Sequence, residues 1–291
     1  RVAPSARPPR GMLALCALAA LAFDGPFGGR IVRLPALQRW MADRPPWARA
    51  LLPGRDVHVW LPRAYDERPS ARFRALYVHD GQNAMDAQTS WTRRSWQLGH
   101  ALTRLAATGA IHDPPVVVLI PNVQDLPGVN RRHMEYGEGP VGDAYMDFVC
   151  DVVKPRVDDQ LRTRPGPEDT AVLGASMGGL CAFRTVWRRP DAAAMCAALS
   201  PVFTAPLVAD VALRGARLRA HLEATGGRLY IDNGGDTETV ATPWLDPRDG
   251  GNPGFFWLDG HLQAGVDAMR GALAAHGVPH AYLRADGARH N

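Results

Sequence analysis

Residues 174–178 read Gly-Ala-Ser-Met-Gly and fit G-x-S-x-G, the turn that sets a nucleophilic serine between a strand and a helix. A serine hydroxyl is a poor nucleophile at neutral pH. It needs an imidazole to take its proton and a carboxylate to orient that imidazole. In the strand–elbow–helix setting the chain order is serine, acid, histidine. The base is therefore sought after Ser176 and beyond the last strand. His290, in Gly287-Ala-Arg-His-Asn291, follows a glycine-containing turn at that place. His221 and His261 fall within predicted helices, His276 on a helix surface, and His280 at the start of the last strand. For the acid, Asp232-Asn-Gly-Gly-Asp-Thr-Glu238 offers three carboxylates. Asp232 reads as the end of a strand, whereas Asp236 and Glu238 lie in a loop from which a side chain can reach an imidazole. Glu238 is preferred, with Asp236 or Asp232 as alternatives. At least two of the three are then ordinary carboxylates. Donors for an oxyanion are expected from the backbone N–H of Met177 and from Gln82 in His79-Asp-Gly-Gln-Asn83. Gly81 there lets backbone approach a substrate. Asp-Gly is also a common β-turn.

These residues need a frame. Asp169–Gly174 is a short apolar run of strand character, and Gly178–Arg189 has helical apolar spacing that stops at Pro190. Strands are predicted at 56–62, 74–80, 115–121, 169–174, 194–199, 228–232 and 280–284. Pro115-Val-Val-Val-Leu-Ile-Pro121 is continuously apolar, as a strand buried on both faces must be. Helices are predicted at 91–107, 142–161, 177–189, 206–224 and 259–276. Alternation of this kind implies βαβ crossovers and a mostly parallel sheet with helices on both faces. The Pro/Gly-rich stretches 121–141 and 234–256 are long for connections and are expected to shape a site at the carboxyl ends of the strands.

The 291 residues carry 33 basic and 29 acidic side chains, with a formal net charge of +4. The two signs are interleaved, and no basic stripe with aromatics argues for nucleic acid. Lys154 is the only lysine. Cys16, Cys150, Cys181 and Cys196 lack C-x-x-C spacing and read as buried free thiols, not as a metal site. No cofactor or metal is implied. Residues 11–22 are apolar, follow Arg7 and Arg10, and end in Ala20-Leu-Ala22. Residues 1–22 read as a secretory signal peptide, too short to span a bilayer, which implies a periplasmic or secreted protein. A stray N-terminal helix in a cytoplasmic protein is the competing reading. Residues 23–54 then form an N-terminal extension, and 55–291 a single α/β domain.

In order along the chain, Arg55–Pro62, His79–Asn83, Arg132-His-Met-Glu-Tyr136, Lys154–Asp158, Gly174–Gly179, Leu199-Ser-Pro201 and Gly287–Asn291 together resemble the Putative esterase family of α/β-hydrolases. That family includes enterochelin-esterase-like, feruloyl-esterase-like and S-formylglutathione-hydrolase-like enzymes and the mycolyltransferases. The resemblance implies an α/β-hydrolase fold and a serine esterase acting on a small-molecule ester. Ser176 would be the nucleophile, His290 the base, and Gln82 and Met177 the oxyanion donors. Apart from the resemblance, Gly81 in its turn and Arg132 and Tyr136 in the 121–141 loop are candidate substrate-binding residues, although loop packing explains the last two equally well. Two departures stand out. Some relatives carry an Asp where this chain has Ala241, while Gly235-Asp-Thr-Glu238 matches other branches and favours Glu238. The chain also ends one residue after His290, where relatives continue, and so reads as a C-terminally truncated copy. Acyl transfer to a sugar or lipid alcohol, or a non-catalytic hydrolase-like binding module, are the alternatives.

Overall fold

The computed structural model describes residues 23–25, 28–34, 55–90, 93–123, 131–234 and 253–285. Nine strands form one sheet among them: β1 (Phe23–Gly25), β2 (Gly29–Leu34), β3 (Val57–Pro62), β4 (Ala75–His79), β5 (Val116–Ile120), β6 (Thr170–Ala175), β7 (Met195–Leu199), β8 (Arg228–Asn233) and β9 (His280–Arg284). Their spatial order is β1-β2-β3-β5-β4-β6-β7-β8-β9. The first three are antiparallel to their neighbours, and β5 through β9 run parallel. Each strand expected from the sequence forms within one residue of its expected ends. The sheet also begins earlier than residue 55, because Gly29–Leu34 pairs with β3 along its whole length.

Alternation along β5 shows how the two faces are covered. Val116, Val118 and Ile120 join the large core with helices α6 (Met177–Arg188) and α7 (Ala205–Thr225). Val117 and Leu119 face a smaller cluster with Trp60, Val78 and Leu102, the last from α2 (Leu98–Ala107). A strand apolar at every position is required where both faces are dry. The remaining helices are α1 (Arg63–Glu67), α3 (Arg132–Tyr136), α4 (Pro140–Asp147), α5 (Lys154–Gln160) and α8 (Pro253–Ala275). Among the described residues no helix is long and apolar enough to cross a membrane. Cys150, Cys181 and Cys196 are free and buried, as expected.

Three helical expectations are modified. The predicted helix 91–107 starts only at Leu98, because Arg93 and Gln97 take positive φ, which an α-helix cannot contain. The predicted helix 142–161 is divided by a π-turn at Phe148–Val153. Pro155, just after it, has no N–H to give and its ring crowds the carbonyl four residues back, so the wider turn relieves the conflict. Within the stretch read as a loop, Arg132–Tyr136 is a short helix.

That short helix is pinned by a buried ion pair. Arg55, just before β3, donates from Nη1 to Glu135 Oε2 at 3.0 Å and also pairs through Nη2 with Oε1. The same Nη1 donates to Pro121 O at 3.0 Å, and Val123 N–H donates to Glu135 Oε2 at 3.3 Å. The guanidinium lies beside the rings of Tyr145 and Phe148. Both charges are hidden from water, so each depends on the other. Glu135→Ala is expected to cost about 3–5 kcal/mol in urea unfolding, because it strands a buried cation. The double variant Arg55→Met/Glu135→Leu should cost less than Glu135→Ala alone. A double variant that costs more than the single one would show that the pair's own attraction dominates.

Candidate active site

The connections dictate where a site can form. From β4 the chain crosses to β5 on one side, and from β6 it crosses to β7 on the other. Opposed crossovers open a crevice outside the carboxyl ends of β4 and β6, the switch point of a doubly wound sheet. The two segments that leave those ends are Asp80–Asn83 and Ser176–Gly178.

Ser176 sits between β6 and α6 with φ 59° and ψ −122°, a region that disfavours any side chain. The surroundings hold it there. Its N–H donates to Leu199 O at 2.8 Å, and its carbonyl accepts from Leu180 at 3.1 Å and Val202 at 3.2 Å. The turn is so tight that a Cβ on Gly174 would stand 2.2 Å from the carbonyl oxygen of Gly178. Gly174 is therefore demanded by backbone meeting backbone, and the serine is set on a sharp corner. Met177 is the first residue of α6, so its amide is among the helix N–H groups with no carbonyl partner within the helix.

Across the crevice, Asp80 follows β4 in a left-handed conformation (φ 55°) and leads into a single 3-10 turn at Gly81–Asn83. Gly81 runs against β5, and a Cβ there would lie 2.5 Å from Ile120 N. The turn closes on itself through Asn83 N–H to Asp80 O at 2.8 Å and Ala84 N–H to Gly81 O at 3.2 Å. Thr89 Oγ1 donates to Gln82 O at 2.7 Å, and Asn122 N–H donates to Gln82 Oε1 at 3.3 Å.

Arg132 and Tyr136, expected to bind substrate, are turned to the protein instead. Arg132 Nε donates to both Asp80 oxygens at 2.9 Å, and Nη2 to Asp80 Oδ2 at 2.7 Å. The same Nη2 donates to Ala175 O, the carbonyl before Ser176, at 3.0 Å. Tyr136 is fully buried, and its hydroxyl accepts the Asp80 N–H at 2.9 Å. The physical reason is the short helix α3, which carries both side chains beneath the Asp80 turn. Asn122, at the end of β5, adds a bond from Nδ2 to Asp80 Oδ1 at 2.8 Å. No role for Asp80 or Asn122 follows from the sequence pattern. The available signal was Asp80 beside Gly81 in one motif segment and an arginine in another.

Asp232, one of the alternative acids, is the penultimate residue of β8. Its Oδ1 accepts the Ser200 N–H at 2.8 Å and its backbone carbonyl accepts the same N–H at 3.1 Å. Burial raises its pKa above the usual carboxylate value, against the lowering by Ser200 and Tyr230. Glu238, Asp236 and His290 lie outside the described residues. Among the described residues no three His, Cys, Asp or Glu side chains converge as metal ligands.

A family model described as "Putative esterase" matches residues 51–251. No curated protein matches the chain. Among solved structures, a siderophore hydrolase from Aspergillus nidulans is similar with a TM-score of 0.62 and 17% identity, over 81% of this chain and 84% of that one. A ferulic acid esterase is similar with a TM-score of 0.58 and 18% identity, over 91% and 92%. A feruloyl esterase module from Clostridium thermocellum gives a TM-score of 0.56 at 15% identity, over 91% and 83%. At such identities the likeness establishes the fold, an α/β-hydrolase.

His79, the last residue of β4, packs between Tyr136 and Tyr145, and its Nδ1 lies 2.9 Å from the Tyr145 hydroxyl. Burial, with Arg132 nearby, pushes its pKa down to about 3. The folded state thus refuses a proton that the unfolded chain accepts below about pH 6.5. The associated stability is complete above that pH and is lost progressively as the pH falls towards 3. By pH 5 His79 should account for about 2 kcal/mol of lost stability. Urea midpoints of wild type and His79→Asn at pH 7.5 and pH 5 check this: the wild type should lose more between the two pH values. Equal losses would mean that the imidazole is protonated in the folded protein.

Proposed function

Because the chain belongs to the family described as "Putative esterase", it is a carboxylic ester hydrolase, and we propose that it works through an acyl-enzyme on Ser176. The observation that carries this reading is Ser176 at positive φ on the turn from β6 to α6, facing the Gly81–Asn83 turn across the switch point. Ser176 Oγ attacks the ester carbonyl as His290 takes its proton. Glu238 orients the imidazole and stabilises it once charged. The negative charge that develops on the carbonyl oxygen is received by the backbone amides of Gln82 and Met177. Collapse of the tetrahedral species breaks the bond to the alcohol, and His290 returns the proton to that alcohol. Water then attacks the acyl-serine by the same steps and releases the acid.

The substrate is a small-molecule ester. Esters of ferulic acid and siderophores, the compounds named for the structural relatives, are the first substrates to screen.

Ser176→Ala should lower p-nitrophenyl acetate hydrolysis by roughly 10⁴-fold or more, and a fluorophosphonate probe should label the wild type alone. Retained turnover in the variant would place the nucleophile elsewhere. For the acid, Glu238→Gln should lower kcat by roughly ten- to a thousand-fold, about 1.4 to 4 kcal/mol of barrier. Asp236→Asn should stay near wild type. If Asp232→Asn is the crippled variant, the acid lies at the end of β8. With an added alcohol acceptor the product should remain mostly free acid; mostly transferred acyl groups would identify an acyltransferase.

A further inference from the structure

We infer that the Asp80–Arg132 pair positions the oxyanion site of this enzyme by tying the turn that carries Gln82 to the strand end that carries Ser176. The inference rests on the proposed roles of those two residues and adds one for groups that touch neither substrate nor reacting atoms.

The geometry is specific. Two parts of an oxyanion site are supplied by separate elements, the turn after β4 and the elbow after β6. The strands themselves pair as far as Val78↔Leu173. Beyond that register no ladder holds Asp80–Gln82 against Ala175–Met177. One guanidinium spans the gap. Its Nη2 donates both to Asp80 Oδ2 at 2.7 Å and to Ala175 O at 3.0 Å, and its Nε holds both Asp80 oxygens at 2.9 Å. The planar fork is suited to this, because it pairs with a carboxylate bidentately while a third bond leaves in a fixed direction. Asp80 closes on α6 as well: a Cβ on Gly178 would lie 3.2 Å from its Oδ2. Asp80 is almost wholly buried, and its carboxylate takes a further bond from Asn122. The Asp80 N–H is also taken, by Tyr136 Oη.

The left-handed Asp80 is thus held at its amide and at both carboxylate oxygens, and the amide of Gln82 lies two residues on. A shift in that amide weakens its bond to the developing oxyanion more than any contact to the bound ester. Such an error appears in kcat, since only the transition state carries the charge.

The test compares wild type, Arg132→Met, Arg132→Lys, Asp80→Asn and, as a destabilised control remote from the site, the core variant Val211→Ala. Ser176→Ala is run in parallel. Each folded variant is assayed for kcat, KM, Tm and affinity for a boronic acid transition-state analogue. Arg132→Met and Asp80→Asn are expected to lose about 100-fold in kcat, the scale of a displacement near 1 Å, with KM within about threefold of wild type. Boronate affinity should fall with kcat. Arg132→Lys keeps the charge but not the fork and should fall between wild type and Arg132→Met. Val211→Ala should lower Tm and leave kcat unchanged. An Arg132→Met protein that melts lower but keeps wild-type kcat and boronate affinity would overturn the inference. So would a rise in KM without loss of kcat, which would return Arg132 to substrate binding. A wild type as inert as Ser176→Ala would instead sink the esterase mechanism on which the inference stands.

Discussion

One guanidinium occupies the point where the carboxyl ends of β4 and β6 separate. Arg132 is bonded at once to the Asp80 carboxylate and to the carbonyl preceding Ser176. Parallel strands are held by their ladder only as far as their paired residues extend. Past the last pair each segment departs on its own course, and at a switch point the two courses diverge. Anything built from both segments therefore needs a tie that the sheet does not supply. A charge-assisted, bidentate bond in a mostly buried setting is a stiff one.

The tie depends in turn on the placement of α3. A helix of five residues cannot hold itself together and must be held by its contacts. Arg55 and Glu135 provide one of them, and the tilted ring contact of Tyr136 with Tyr145, with centroids 5.3 Å apart, provides another. His79 lies against both rings and stays neutral in their company. One end of α3 is held by the Arg55–Glu135 pair and the other by the Arg132–Asp80 pair, so two ion pairs fix the helix within a largely apolar surrounding. Arg55, Glu135 and Asp80 are buried and Arg132 is partly so, which makes an unmet bond at any of them costly.

The serine corner reflects the same economy of space. Gly174 and Gly178 bring backbone to within contact of backbone, leaving Ser176 as the residue that bears the strained torsion. Strain of that kind persists only where neighbours over-determine it. Here they do so through Leu199, Leu180 and Val202.

The sequence alone determined seven of the nine described strands, the approximate places of the main helices and the serine corner. These follow from local rules: apolar runs bounded by breakers for Val116–Ile120, and a glycine on each side of Ser176 for the turn. The places of Ser176 and Met177 on the corner, and of Gln82 on the turn after β4, were legible because each follows from position on an element. Arg132 and Tyr136 were legible as belonging to the site, but not in which direction they face. A loop reading left both free to meet a substrate, whereas α3 turns them inward to Asp80. Glu135 and Arg55, 80 residues apart, could not be paired from local pattern. Nor could Gly29–Leu34 be joined to the sheet, since a six-residue strand finds its partner only through the edge that β3 presents. Local periodicity reports what an element is. Which buried charges meet, and so which loops are tied together, is decided by long-range packing, because a charge removed from water is stable only beside the partner that the fold brings to it.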